Sequence, residues 1–142
     1  MGENAATVEQ ALDALNSGDL DGYMSMYSRE AQFVGYPDDV PPNFGGIREF
    51  YAALLEGIAE LNVEPIDLFE AGQRVVVRYN VTGSHQAELM GSPRTGHAVA
   101  FEGLTILYFQ DGKVVHRVNR ADEMAFLTQI GIIPVPSETR MS

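Results

Sequence analysis

The chain has 142 residues, 45% of them apolar, with 20 acidic against 9 basic side chains and a net charge of −11. That size fits one domain with a real core, and the acid excess argues against a nucleic-acid partner, whose phosphates need cationic neutralisation. With no cysteine, disulfides, thiolate nucleophiles and cysteine-bound metals are excluded. No apolar run approaches the ~18 residues of a membrane span, and the N-terminus has no basic segment followed by an apolar one. The expectation is a single cytoplasmic domain over 1–142, with no membrane partner, a core over about 6–131 and a tail over 132–142.

Met1 to Ala6 reads as a frayed start. Thr7 and Gln10 fit a capping box, and Val8, Ala11, Leu12 and Leu15 follow at helical spacing. Ser17-Gly18-Asp19 breaks that helix. Asp19 can cap a second one carrying Leu20, Tyr23, Met24 and Tyr27. Ala31 to Tyr36 reads as a short strand, and Pro37 to Gly46 as a loop. Ile47, Phe50, Tyr51, Leu54 and Ile58 form a third helical stripe. Val63 to Phe69 is a strand that Pro65 demotes to an edge or a strand start. Gly72-Gln73 turns the chain. Arg74 to Thr82 is a strand with Val75, Val77, Tyr79 and Val81 on one face. A glycine-rich stretch over 83–96 is followed by a long strand, His97 to Phe109, in which Gly103 suggests a bulge or bend. Asp111-Gly112 is a two-residue hairpin signal joining it to a last strand, Lys113 to Arg120. The amphipathic segment Glu123 to Ile130 follows, stopped by Gly131.

Helices early and antiparallel strands late mean α+β. A strongly bent antiparallel sheet wrapped around the helices makes a cone with an internal pocket. If the last strand alternates, His116, Val118, Arg120 and Asp122 share one face, with Val115, Arg117 and Asn119 on the other. A carboxylate such as Asp122 in a dry pocket could abstract a proton α to a carbonyl. Asp122 also directly precedes a helix, where aspartate is a good N-cap. Both readings stay open. Arg120 could polarise a substrate oxygen or be a surface cation, and His116 could relay a proton. Tyr23, Tyr27, Tyr36, Tyr51, Phe33, Phe50 and Phe101 could line a pocket or simply fill the core. Tyr27 and Tyr36 are the choices among them, because a buried hydroxyl seeks a partner. His85, His97 and His116 lack metal-ligand spacing, so no metal is expected. There is no G-x-S-x-G, no phosphate loop and no G-x-G-x-x-G.

The pieces Arg74-Val-Val-Val-Arg-Tyr-Asn-Val-Thr-Gly-Ser-His85, Met90-Gly-Ser-Pro-Arg-Thr-Gly96, Asp111-Gly-Lys-Val-Val115, Asp122 and Leu127-Thr-Gln-Ile-Gly131 stand in an order and spacing that resembles the SnoaL-like polyketide cyclases. That family belongs to the nuclear-transport-factor-2-like cone superfamily. The resemblance covers about Ala6 to Gly131. It implies a cystatin-like α+β barrel, a homodimer through the outer sheet face, a pocket for a small, often polycyclic ligand, and no cofactor. It also implies aldol ring closure with Asp122 as general acid/base; His116 is added as a catalytic candidate because it shares the Asp122 face of the strand. Tyr27, Phe33, Tyr36, Phe50, His85, Phe101, Val118 and Arg120 are the expected substrate contacts. The chain departs from the usual pattern at Val118, often Trp, at His97, often Arg, and at Asn119, often Asp. Arg78-Tyr79-Asn80 has Asn where an epoxide hydrolase of this superfamily would have an acid. The alternative is a non-catalytic dimeric module that holds a ligand or partner, with Asp122 only a cap.

Overall fold

The computed structural model describes residues 2–134. Three helices and a strand come first: α1 (Glu3–Asn16), α2 (Leu20–Met24), β1 (Tyr27–Val34) and α3 (Phe44–Gly57). The strands β2 (Ile58–Ala71), β3 (Arg74–His85), β4 (Ala98–Gln110) and β5 (Lys113–Ala121) follow, and α4 (Glu123–Gln129) closes the chain. The sheet order is β1-β5-β4-β3-β2. Neighbours run antiparallel except β1 and β5, which are parallel and are separated in the chain by α3 and three strands. The sheet is curved and unclosed, and the helices pack against its concave face, as the α+β cone requires. No described helix is long and apolar enough to cross a membrane.

Several boundaries differ from the sequence reading, each for a tertiary reason. Helix α1 begins at Glu3, not Thr7, because a distant carboxylate serves its first turn. Glu70 Oε1 accepts the Ala5 N–H at 2.9 Å, and Ala5 is fully buried. Strand β2 begins at Ile58, five residues before Val63, because it pairs with β3 as far as His85. It is an edge strand, which accommodates Pro65. Asn16 satisfies part of that edge: its Oδ1 accepts from Val63 N at 2.7 Å and its Nδ2 donates to Val63 O at 3.0 Å. Asp19 caps α2 as expected, accepting from Gly22 N at 2.9 Å. Of the expected tail, 135–142 lies outside the described residues.

Two local features place the site. Gly103 is not a bulge; its pairing with Tyr79 and Ala121 is regular. A Cβ there would sit 2.3 Å from the Tyr79 ring, so the glycine makes room for that phenol. The bulge lies in β5 instead. Tyr108 pairs with His116 but Phe109 pairs with Val114, so Val115 is one residue too many. It turns the phase of the strand. Val114 faces the core, and so do Arg117 and Asn119.

Candidate active site

Strand β5 carries a cation into the core. Arg117 is 7% exposed, and all its described acceptors are neutral oxygens. Its Nε donates to Thr105 Oγ1 at 2.8 Å. Its Nη1 donates to the hydroxyls of Tyr23 at 2.8 Å, Tyr27 at 2.7 Å and Tyr51 at 3.2 Å. Its Nη2 reaches Asn119 Oδ1 at 3.3 Å. Tyr79 OH also donates to Asn119 Oδ1, at 2.7 Å. The hydroxyls pair among themselves: Tyr23 with Tyr27, and Tyr36 with Tyr51, each at 2.8 Å. Thr105 is held in turn by donating to Val118 O at 2.9 Å. The ion pairs among the described residues are Arg48–Asp21, Arg78–Asp67 and Arg78–Glu102, so no described carboxylate answers Arg117.

Burial sets the charge states. Desolvation holds the Tyr23, Tyr36 and Tyr79 phenols above their usual value, and pushes Tyr27 up to about 12, although Arg117 pulls back on each. Burial works against the Arg117 cation, but the surrounding tyrosine oxygens outweigh it, and its pKa is held well above the ordinary value. The cluster is therefore a fixed positive charge ringed by neutral phenols.

A cavity of about 160 Å³ opens onto this cluster. Arg117, Asn119, Tyr23, Tyr36, Tyr51 and Tyr79 supply its polar wall. Leu12, Leu15, Phe50, Val81, Phe101 and Phe126 supply much of the apolar remainder. The aromatic side is braced by edge contacts, such as Tyr36 on Phe50 at 5.4 Å and on Tyr51 at 6.2 Å between ring centres. The lining residues Met90 and Glu123 are exposed and mark where the cavity meets solvent. Gly35 closes one side with a φ of +98°; a Cβ there would collide with Asn119 O at 1.7 Å.

The family model for SnoaL-like polyketide cyclases matches residues 5–130. The chain belongs to this family. Among its relatives is the aklanonic acid methyl ester cyclase AcmA of Streptomyces galilaeus, 24% identical over 139 residues, which are 92% of each chain. Among solved structures, AclR of Streptomyces galilaeus, a candidate hydroxylase, superposes with a TM-score of 0.84 at 25% identity, covering 98% of this chain and 87% of that one. A candidate SnoaL-like polyketide cyclase from Jannaschia sp. CCS1 gives 0.79 at 24% identity, covering 93% and 94%.

The structure gathers only some of the residues singled out from the sequence. Tyr36, Phe50 and Phe101 line the cavity of this family member. Tyr27 contributes its hydroxyl to Arg117 from behind, and buried Phe33 packs edge-on against Tyr27 and Tyr36. The expectation that His116, Val118, Arg120 and Asp122 would share the pocket face is corrected. The Val115 bulge sends His116, Val118 and Arg120 to the outer sheet face, where the His116 ring packs at a tilt against Tyr108, 5.3 Å between ring centres. Arg120 is exposed and donates to Asn119 O at 2.9 Å. Asp122 is exposed and caps α4, accepting from Ala125 N at 3.1 Å; its neighbours Ala121 and Glu123 line the cavity, and it does not. His85 is fully buried away from the cavity, with Nδ1 accepting from Thr95 N at 3.3 Å and bonded to Thr95 Oγ1 at 2.9 Å. Arg117, Asn119, Tyr79 and Glu123 were missed. Their signal was present, since Arg117 and Asn119 stood two apart on the opposite face to Arg120 and His116. No three His, Cys, Asp or Glu side chains among the described residues gather as a metal site.

Proposed function

We propose that this protein is a cofactor-free acid/base enzyme acting on a small, largely apolar carbonyl compound, by aldol cyclisation or a related proton transfer. The observation that carries it is one uncompensated guanidinium, flanked by an amide and phenols, in an otherwise apolar cavity. Donors fixed in a dry site stabilise charge that develops on a carbonyl oxygen, commonly by several kcal/mol. In this reading a carboxylate removes a proton α to the carbonyl, and the electron pair moves onto the oxygen facing Arg117 and Asn119. The enolate carbon then attacks a second carbonyl, whose oxygen takes up a proton as the ring closes. The cyclase named among the relatives supports that outcome.

One carboxylate stands at the entrance and a second beside it in sequence. Glu123 lines the entrance as the structure stands, whereas Asp122 would have to release the Ala125 amide to reach inside. We therefore assign the proton transfer to Glu123. Glu123→Gln should lower turnover of a ring-closing 1,3-dicarbonyl substrate at least about 100-fold, the usual worth of a positioned base. Asp122→Asn should stay near wild type, because asparagine also caps well. The reverse pattern would return the acid/base role to Asp122 and require α4 to rearrange. Loss of neither, with ligand affinity intact, would favour a non-catalytic binding module, a reading that the exposed, capping Asp122 supports.

We also propose that the chain forms a homodimer through the outer sheet face. Val34, Val118, Ile106, Val76 and Phe69 are register partners in succession and lay one apolar row across all five strands. Phe69 is 55% exposed at one end of that row, and Leu104 is 50% exposed beside it.

A further inference from the structure

The donor count of Arg117 leaves something over. A guanidinium has five N–H groups. The Nε hydrogen serves Thr105, and three tyrosine oxygens share the two on Nη1. Nη2 has two hydrogens and a single described acceptor, Asn119 Oδ1, at a long 3.3 Å. The Nδ2 of Asn119 has no acceptor among the described residues, and both side chains line the cavity. Taking a cation out of water costs several kcal/mol, and neutral oxygens return only part of that. A neutral ketone would leave the charge uncompensated; a negatively charged oxygen would complete it. A carboxylate prefers a fork of two parallel N–H bonds, and the Nε and Nη1 donors that could form one with Nη2 are occupied. The vacancy suits an anion with one charged oxygen.

We propose that the cavity binds its ligand as an anion: an acidic enol or phenol whose O–H ionises on binding, with the oxygen held by Arg117 Nη2 and Asn119 Nδ2. The O–H bond breaks, its electron pair stays on oxygen, and the proton leaves to solvent past exposed Glu123. The cavity volume of about 160 Å³ fits one ring, since an apolar cavity of roughly 150 Å³ holds benzene. A larger molecule would insert its acidic ring and leave the rest at the rim formed by Met90 and Glu123. This assignment rests on the carbonyl-enzyme reading above and adds the charge state of the bound compound.

The test uses 4-nitrophenol, which fits one ring and changes colour on ionisation, at a pH below its own pKa. Bound to the intact protein, it should show the spectrum of the ionised form and release a proton in calorimetry run in buffers of different ionisation heat. It should bind about 10- to 100-fold more tightly than nitrobenzene, the worth of a hydrogen bond to a charged group, and more tightly than benzoate. Asn119→Asp, nearly isosteric, hands Arg117 a carboxylate and should abolish binding of the ionised form. Arg117→Met should bind the neutral form alone; if it fails to fold, the wild-type spectrum and the Asn119 variant still decide. A bound probe that stays neutral, equal affinity for nitrobenzene or benzoate, or no binding of any of them overturns the proposal. Ionised binding without turnover of any carbonyl compound would remove the catalytic reading and leave this one. Turnover with a neutral bound probe would do the opposite.

Discussion

Arg117 is the residue from which the interior is best understood. A buried cation among phenols does not make sense as a stability device, because apolar residues of similar volume often do as well or better in such places. Its partners carry a consequence that can be measured. Tyr23, Tyr27, Tyr36 and Tyr79 all have phenols that burial holds above the usual value of 10.0, Tyr27 at about 12. In the unfolded chain they ionise near 10. Below that pH both states keep their protons, and the contribution is complete. Between 10 and about 12 the unfolded chain releases protons that the fold retains, so stability falls, by up to about 1.4 kcal/mol per pH unit for each such tyrosine. The expected result is a steep alkaline unfolding in which much of the tyrosinate absorbance rises together with the loss of circular dichroism. A gradual phenol titration centred near 10 with the fold intact would contradict the buried network.

At the level of elements, the turn chemistry and most of the stripes were legible in the sequence. Asp111-Gly112 forms the hairpin it promised, with φ of +52° and +80°. Val75, Val77, Tyr79 and Val81 face inward as their alternation required. What could not be read was the phase of β5. One extra residue at Val115 inverts which face of that strand is inside, and nothing in Lys113-Val-Val-His-Arg marks it. Of the aromatic residues singled out, Tyr36, Phe50 and Phe101 line the cavity, whereas Tyr27 and Phe33 pack behind it. The polar half was assigned to the wrong face. Helix α4 shows the converse case, where a local signal was right. Asp122 caps it, so Asp122→Ala should cost about 1 kcal/mol in thermal or urea unfolding while Asp122→Asn costs little. Equal melting of both variants would mean that the Ala125 bond contributes nothing in solution.

For the whole molecule, the same inversion gives the outer sheet face its character. A bent sheet with helices on its concave side leaves the convex side to water or to another chain. Here that side carries the row from Val34 to Phe69, flanked by Leu104 and by Arg78, whose guanidinium pairs with Asp67 at 2.8 Å and Glu102 at 3.1 Å. An apolar band edged by paired charges has the layout of an interface between copies, with a dry centre and a polar rim. His116, Val118 and Arg120 would then act at that interface rather than at the pocket. Sedimentation should give twice the 15.5 kDa chain mass. Ile106 sits in the row on β4, the third of the five strands in the sheet order. Ile106→Lys should therefore shift the protein toward monomer with the fold retained, since burying two unpaired ammonium groups across a two-fold axis costs several kcal/mol. A wild-type chain that sediments as a monomer at high concentration would leave the apolar row without this partner.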